Sequence, residues 1–261
     1  MKKILSATAL LLCLMLVCAA AMAEITLTKR DMMLNRGLDK NVNNILVIMQ
    51  NGDVTDSMMI ASVNSRTGRS VMTQIECDTI VNVPEAGDVQ LGQVYMMGAP
   101  KSRGLLAARA INSLLDLNVS TYVALDISIL PDLVDEIGML STWLNDEEAA
   151  ILGTWPGDNA LTRDNILDYV AIRLEDDYVE KNRCYMVFMD LLKQGLHSKS
   201  GANLLGLGKK LLANMDSNLN AMAAVTMLSS FQGGQDRREL YLYSGMTAQE
   251  MHDAFHREVY E

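Results

Sequence analysis

Asn44-Ile45-Leu46-Val47-Ile48-Met49 and, a few residues on, Ser57-Met58-Met59-Ile60-Ala61-Ser62-Val63 decide the fold. The first stretch is a short apolar run that stops at Asn51-Gly52, the pattern of a buried strand closed by a turn. The second is a strand over Ser57 to Val63. A third is expected from Arg69 to Ile75, joined to it by Asn64-Ser65-Arg66-Thr67-Gly68, whose Asn and Gly suit a hairpin. Downstream the period changes. Leu105, Leu106, Ala108, Ala110, Leu114 and Leu115 fall near one face of a helix from Ser102 to Leu117, with Ser102 available as its N-cap. A strand, Thr121 to Asp126, and a helix, Ser128 to Ile137, follow. This alternation predicts an α/β domain, layered α-β-α, with a central mixed sheet flanked by helices.

The remainder is less regular. Trp143 to Ala160 holds Gly153, Pro156 and Gly157 among acidic residues and reads as a surface excursion. Helices are expected over Glu175 to Leu192, Asn203 to Asn214 and Leu219 to Ser230, then a strand, Glu239 to Tyr243, and a last helix capped by Thr247. Residues 24–42 form a lead-in helix or extended arm, and 43–261 form one domain, because no linker divides them.

Lys2 and Lys3 precede an apolar run, and the segment closes with Ala21-Met22-Ala23, a small-residue cleavage pattern. Residues 1–23 are therefore expected to be a signal peptide removed before Glu24. Ile4 to Ala23 is also long enough to span a bilayer, so an uncleaved anchor is the alternative. Either places the domain outside the cytoplasm, secreted or at the outer face of a bacterial membrane. Without the leader, 20 basic residues stand against 32 acidic ones, a charge of −12. That excludes the basic face a nucleic-acid partner needs and argues against a purely electrostatic grip on anionic lipid. Phosphate recognition must come from a few placed arginines. Cys77 and Cys184 are the only cysteines left, a disulfide candidate in an oxidising compartment.

Other motifs are weak. His252 and His256 have the spacing of two ligands on one helix face, but no third ligand is evident and a solvated face explains them. Gly201 to Gly208 lacks the Lys-Ser/Thr ending of a phosphate loop. The nineteen methionines suit either an isoprenoid channel or ordinary core packing.

Taken in order, several elements resemble the LytR-CpsA-Psr family, cell-wall glycopolymer phosphotransferases that use polyprenyl-pyrophosphate-linked glycans. Asn44 to Ile48 sits at the family's first strand, and Asp56-Ser57-Met58-Met59-Ile60 matches its Asp-Thr-Met-Met-Leu element. Val63 to Arg69 resembles the following hairpin, and Tyr122 to Asp126 with Leu133 to Gly138 the next strand and helix. Leu161 to Arg173 resembles an element ending Arg-x-Arg, and Arg183 an Arg-Gln pair.

The resemblance implies Mg²⁺-dependent transfer from a polyprenyl (pyro)phosphate glycan conjugate to peptidoglycan, near the membrane surface. It implies Asp56 as metal ligand with Asp53 or Asn51 as a second oxygen donor, since hard cations prefer oxygen. Arg173 and Arg183, with Asp177, would bind the pyrophosphate, and Asp78 would position metal or accept a proton. Local explanations stand beside each role: Asp53, Asp56 and Asp78 as turn and strand-start residues, the arginines as surface partners of Glu175, Asp176, Asp177 or Glu180. This chain also departs from the pattern. Asn51 replaces a metal-binding Asp, Cys77 replaces an Arg, Ala171 and Glu180 replace two more, and Cys184 replaces a Gln. The resemblance therefore implies an enzyme with impaired phosphotransfer or, alternatively, a non-catalytic polyprenyl-phosphate or glycan binding module. It also places Cys77 and Cys184 at one cavity, where they either bridge or remain two separate thiols.

Overall fold

Strand β1 (Val42–Asn51) lies at the centre of everything that follows. It pairs antiparallel with β2 (Val54–Asn64) on one side and parallel with β6 (Thr121–Asp126) on the other. The computed structural model describes residues 25–174, 182–197, 214–219 and 236–261. The leader, Asp177, Glu180 and nearly all of the two helices expected between 203 and 230 lie outside them.

With β3 (Arg69–Ile75), β9 (Met215–Ser217) and β10 (Asp236–Leu242), these strands form a six-stranded sheet in the order β10-β3-β2-β1-β6-β9. The β10/β3 and β1/β6 pairs are parallel and the other three antiparallel, so the sheet is mixed, as expected. Both faces are covered, which explains why β1 is an unbroken apolar run rather than an alternating one. Leu46 and Ile48 enter a core with Leu106, Ile111, Tyr122 and Phe255. Ile45, Val47 and Met49 enter the opposite one with Leu130, Leu133, Tyr169 and Phe188.

Helices α1 (Leu91–Met97) and α2 (Arg103–Leu115) follow a small hairpin of β4 (Ile80–Val83) and β5 (Gly87–Gln90), on the first face. Gly104 lets α2 lie tight on the sheet: a Cβ there would meet the Tyr122 ring at 2.0 Å. Ser102 stands at the N-cap but makes no capping bond; its hydroxyl donates instead to the Ile25 carbonyl at 3.3 Å. In its described residues the expected lead-in holds a parallel bridge from Ile25 to Gly98 and a short 3-10 turn, Lys29–Asp31, in a capping box with Thr28.

On the second face lie α3 (Leu130–Ile137), α5 (Ile166–Ala171) and α6 (Arg183–His197). The expected surface excursion is instead folded: β7 (Leu140–Leu144) and β8 (Gly157–Leu161) pair as a hairpin enclosing α4 (Asp146–Leu152). Its composition hid this because only Leu140, Leu144, Ala149 and Leu161 of the unit are buried in the second core, with Leu152 packed against it. Helix α7 (Ala248–Tyr260) closes the chain with the anticipated Thr247 cap, in a capping box with Glu250. Among the described residues, no helix is long and apolar enough to cross a membrane.

Candidate functional site

The β1–β2 hairpin sets the site. Its two-residue loop begins at Gly52, whose φ of +60° an L side chain rarely adopts. The loop delivers Asp56 into β2 with only 7 % of its side chain exposed. There the Asp56 carboxylate forms an ion pair with Arg173, whose own side chain is 62 % exposed. Arg173 is anchored from behind: its Nη1 donates to the carbonyls of Val170 at 2.7 Å and Ile172 at 2.9 Å, at the end of α5. Asn182 steadies the other side, donating to the Asp56 carbonyl at 3.1 Å while accepting from the Tyr185 amide at 2.9 Å.

Arg183 takes a different part. Its Nη2 and Nε donate to Glu148 Oε1 at 2.7 and 3.1 Å, and Nη1 donates to the Ile172 carbonyl at 3.0 Å. Arg183 and Glu148 side chains are 2 % and 6 % exposed, so this is a buried pair. Glu148 also accepts from the Asn145 amide as the third residue of α4. Arg183 thus ties α6 to α4 and α5. The two arginines expected to act together do converge, but on a backbone oxygen, with their charges directed to different carboxylates.

Cys77 and Cys184 are both free thiols, so the bridge expected between them is not formed. In the fold both thiols are kept protonated. Burial and then the Asp56 charge push the Cys184 thiol well above its ordinary range, and its S–H is held on the Asp56 carboxylate. Burial first, then Asp56, Asp78 and Glu76, push Cys77 up to about 12. Disulfide exchange requires a thiolate, which this setting suppresses.

Asp78 is an exposed turn residue whose charge reaches Cys77. Asn51, Asp53 and Asp56 do not form one ligand set. Asp56 is taken by Arg173, Asn51 and Asp53 are exposed at the hairpin tip, and Asp53 lines a separate cavity. Among the described residues, no three His, Cys, Asp or Glu side chains are placed to hold a metal ion. Of the three expected metal ligands, only Asp56 therefore stands beside Arg173. His252 and His256 stack on α7 at 4.1 Å between centroids, and His256 is bonded to the Leu115 carbonyl at 2.8 Å, which is a packing role.

Glu148 and Asn182 were missed in the sequence. Asn145-x-x-Glu148 is readable as a capping box, but nothing local to it announces Arg183 as a partner.

A family model, described as the LytR_cpsA_psr family, matches residues 27–251. The chain is 24% identical over 184 residues to Biofilm regulatory protein A of Streptococcus mutans, covering 63% of this chain and 44% of that protein. It is 22% identical over 215 residues to the polyisoprenyl-teichoic acid–peptidoglycan teichoic acid transferase TagU of Oceanobacillus iheyensis, covering 76% and 65%. The chain thus spans less than two thirds of either relative. A solved structure described as the LytR-CPS2A-psr family protein YwtF (TagT) with bound octaprenyl pyrophosphate lipid superposes with a TM-score of 0.66. It does so at 16% identity, covering 90% of this chain and 99% of that one.

Proposed function

The chain belongs to the LytR_cpsA_psr family, and we propose from that premise that it works in the attachment of cell-wall glycopolymers outside the cytoplasm. Its part is to hold a polyprenyl (pyro)phosphate glycan conjugate by the phosphate end, with transfer to peptidoglycan strongly impaired. The observation that carries this reading is the Asp56–Arg173 pair: a largely exposed guanidinium, fixed at its base by two carbonyls, with one fork toward an acidic partner. A phosphate can replace Asp56 on that fork, because planar guanidinium matches two phosphate oxygens. TagU is named as a teichoic acid transferase and the YwtF structure holds octaprenyl pyrophosphate, both consistent with a lipid-phosphate ligand.

The same geometry weakens turnover. Charge developing on the leaving phosphate must be met by several placed cations, and removing a single such donor costs roughly 10²-fold or more in rate. Here Cys77 and Ala171 supply no charge, and Arg183 is bonded to Glu148.

The test uses exported protein and a short polyprenyl pyrophosphate analogue. Saturable binding should weaken about tenfold or more in Arg173→Ala, as loss of a charge-assisted bond implies, and labelled transfer to peptidoglycan should be slow or undetectable. Parent-like binding in Arg173→Ala sinks the phosphate reading, and rapid transfer sinks the impairment. Intact mass of the exported chain tests the compartment: the first residue should be Glu24 if the leader is cleaved.

A further inference from the structure

Asn51-Gly52, where β1 turns into β2, is the single Asn-Gly pair of the chain. An asparagine carboxamide is open to attack by the backbone nitrogen of the residue that follows it, which closes a five-membered ring. The reaction needs a carboxamide free to turn, a nitrogen not crowded by its own side chain, and water at the ring.

Asn51 meets all three conditions. It is exposed, and its side chain makes no hydrogen bond among the described residues. Gly52 carries no Cβ, and the place one would occupy is open, with nothing within 4 Å. Asn51 pairs with Val54 as the last rung of the β1/β2 ladder, so turning its backbone disturbs an end of the sheet rather than its middle. Glycine at the next position allows that turn at low steric cost.

Other asparagines are held. Asn64 and Asn112 are buried, and their carboxamide oxygens accept from the Arg66 amide at 3.0 Å and the Val119 amide at 2.8 Å. Asn145 accepts from the Glu148 amide at 2.8 Å as the cap of α4. Asn43 isolates the part played by glycine. It lies on the same strand and is also exposed with no side-chain bond among the described residues, but it is followed by Asn44 and pairs within the ladder with Val63.

We propose that Asn51 is a self-modifying position, converting in the folded protein to aspartate and isoaspartate. The Gly52 nitrogen bonds to the Asn51 side-chain carbonyl carbon, and its proton passes through water to the departing NH₂, which leaves as ammonia. Water then opens the succinimide. Breaking the bond from nitrogen to the side-chain carbon gives aspartate, and breaking the bond to the main-chain carbon gives isoaspartate. The balance is one water consumed and one ammonia released. Both products add a carboxylate beside Asp53, on the loop that leads to Asp56, and isoaspartate also lengthens the main chain by one carbon at the closing pair. The conversion is independent of what Arg173 binds.

Peptide mapping of the full exported protein, aged at mildly alkaline pH in heavy-oxygen water, tests this. The peptide containing Asn51 should exchange its amide for a hydroxyl carrying heavy oxygen and split into aspartate and isoaspartate forms, at least about tenfold faster than the peptide containing Asn43. Gly52→Ala should slow the conversion about tenfold or more, since the added Cβ crowds the attacking nitrogen. Because that Cβ also strains a positive φ, Asn51→Gln supplies a second variant: its longer side chain cannot close the five-membered ring, and the signal should vanish with the fold intact. No conversion at Asn51 in the folded protein, equal conversion at Asn43, or a signal that arises only after denaturation overturns the proposal.

Discussion

Arg173 and Arg183 donate to the same backbone oxygen, the carbonyl of Ile172, at 2.9 and 3.0 Å. One carbonyl thus joins an exposed cation facing Asp56 to a buried cation facing Glu148. The same residue type, ten positions apart, is split by burial into a binding group and a structural strut.

This split predicts opposite mutational signatures. Arg183→Ala leaves Glu148 buried and unpaired, which costs about 3–5 kcal/mol. Arg173→Ala leaves Asp56, 7 % exposed, without its cation, but the guanidinium it removes is mostly in solvent, so the cost should be smaller, about 1–3 kcal/mol. Denaturant unfolding should show a larger loss for Arg183→Ala than for Arg173→Ala, while the pyrophosphate analogue reports the reverse ranking. Replacing the buried pair together, as Arg183→Met with Glu148→Leu, should recover most of the lost stability. Equal destabilisation by the two alanine variants would contradict the assignment.

The thiols give a pH-dependent prediction. Cys77 and Cys184 are both raised above an ordinary value of 9.0, so the unfolded chain releases their protons before the folded one does. The folded state then holds more protons, and stability must fall as pH rises above about 9, with no contribution below it. In Cys77→Ala/Cys184→Ala the decline should begin nearer pH 10, where the raised tyrosines Tyr95 and Tyr122 take over. Alkylation of denatured, unreduced protein should modify both cysteines. A cross-linked peptide containing Cys77 and Cys184 would show that a bridge forms after all.

Metal removal is a third check. Because Asp56 is engaged by Arg173 and, among the described residues, no three metal-ligating side chains are grouped around it, affinity for the pyrophosphate analogue should change less than about twofold on adding excess chelator, well under the tenfold that 1.4 kcal/mol represents. Loss of binding in chelator, restored by Mg²⁺, would reinstate Asp56 as a metal ligand.

The two tryptophans of the chain, Trp143 and Trp155, are 66% and 85% exposed, although tryptophan is usually well buried. Intrinsic fluorescence should therefore be that of water-exposed indole, be quenched almost completely by acrylamide, and shift little on unfolding. A blue-shifted, quencher-resistant emission would show that the β7–β8 unit packs differently.

The sequence by itself determined the layers and the central strands. Apolar runs such as Ile45 to Met49 and the helical stripe of Leu106, Ala110 and Leu114 are local signals, because side-chain period follows backbone geometry directly. It also determined the family pattern and the residues departing from it, Asn51, Cys77, Ala171 and Cys184. The β7–β8 unit was not legible, since a short polar hairpin around a two-turn helix buries too few residues to print a period. Only the tertiary structure decided which arginine is exposed, because the partner of Arg183 is Glu148, distant in sequence and identifiable only once α4 packs near α6. Charge and hydrogen-bonding capacity are written in each residue, but their availability depends on burial and on partners that only the packed chain brings together.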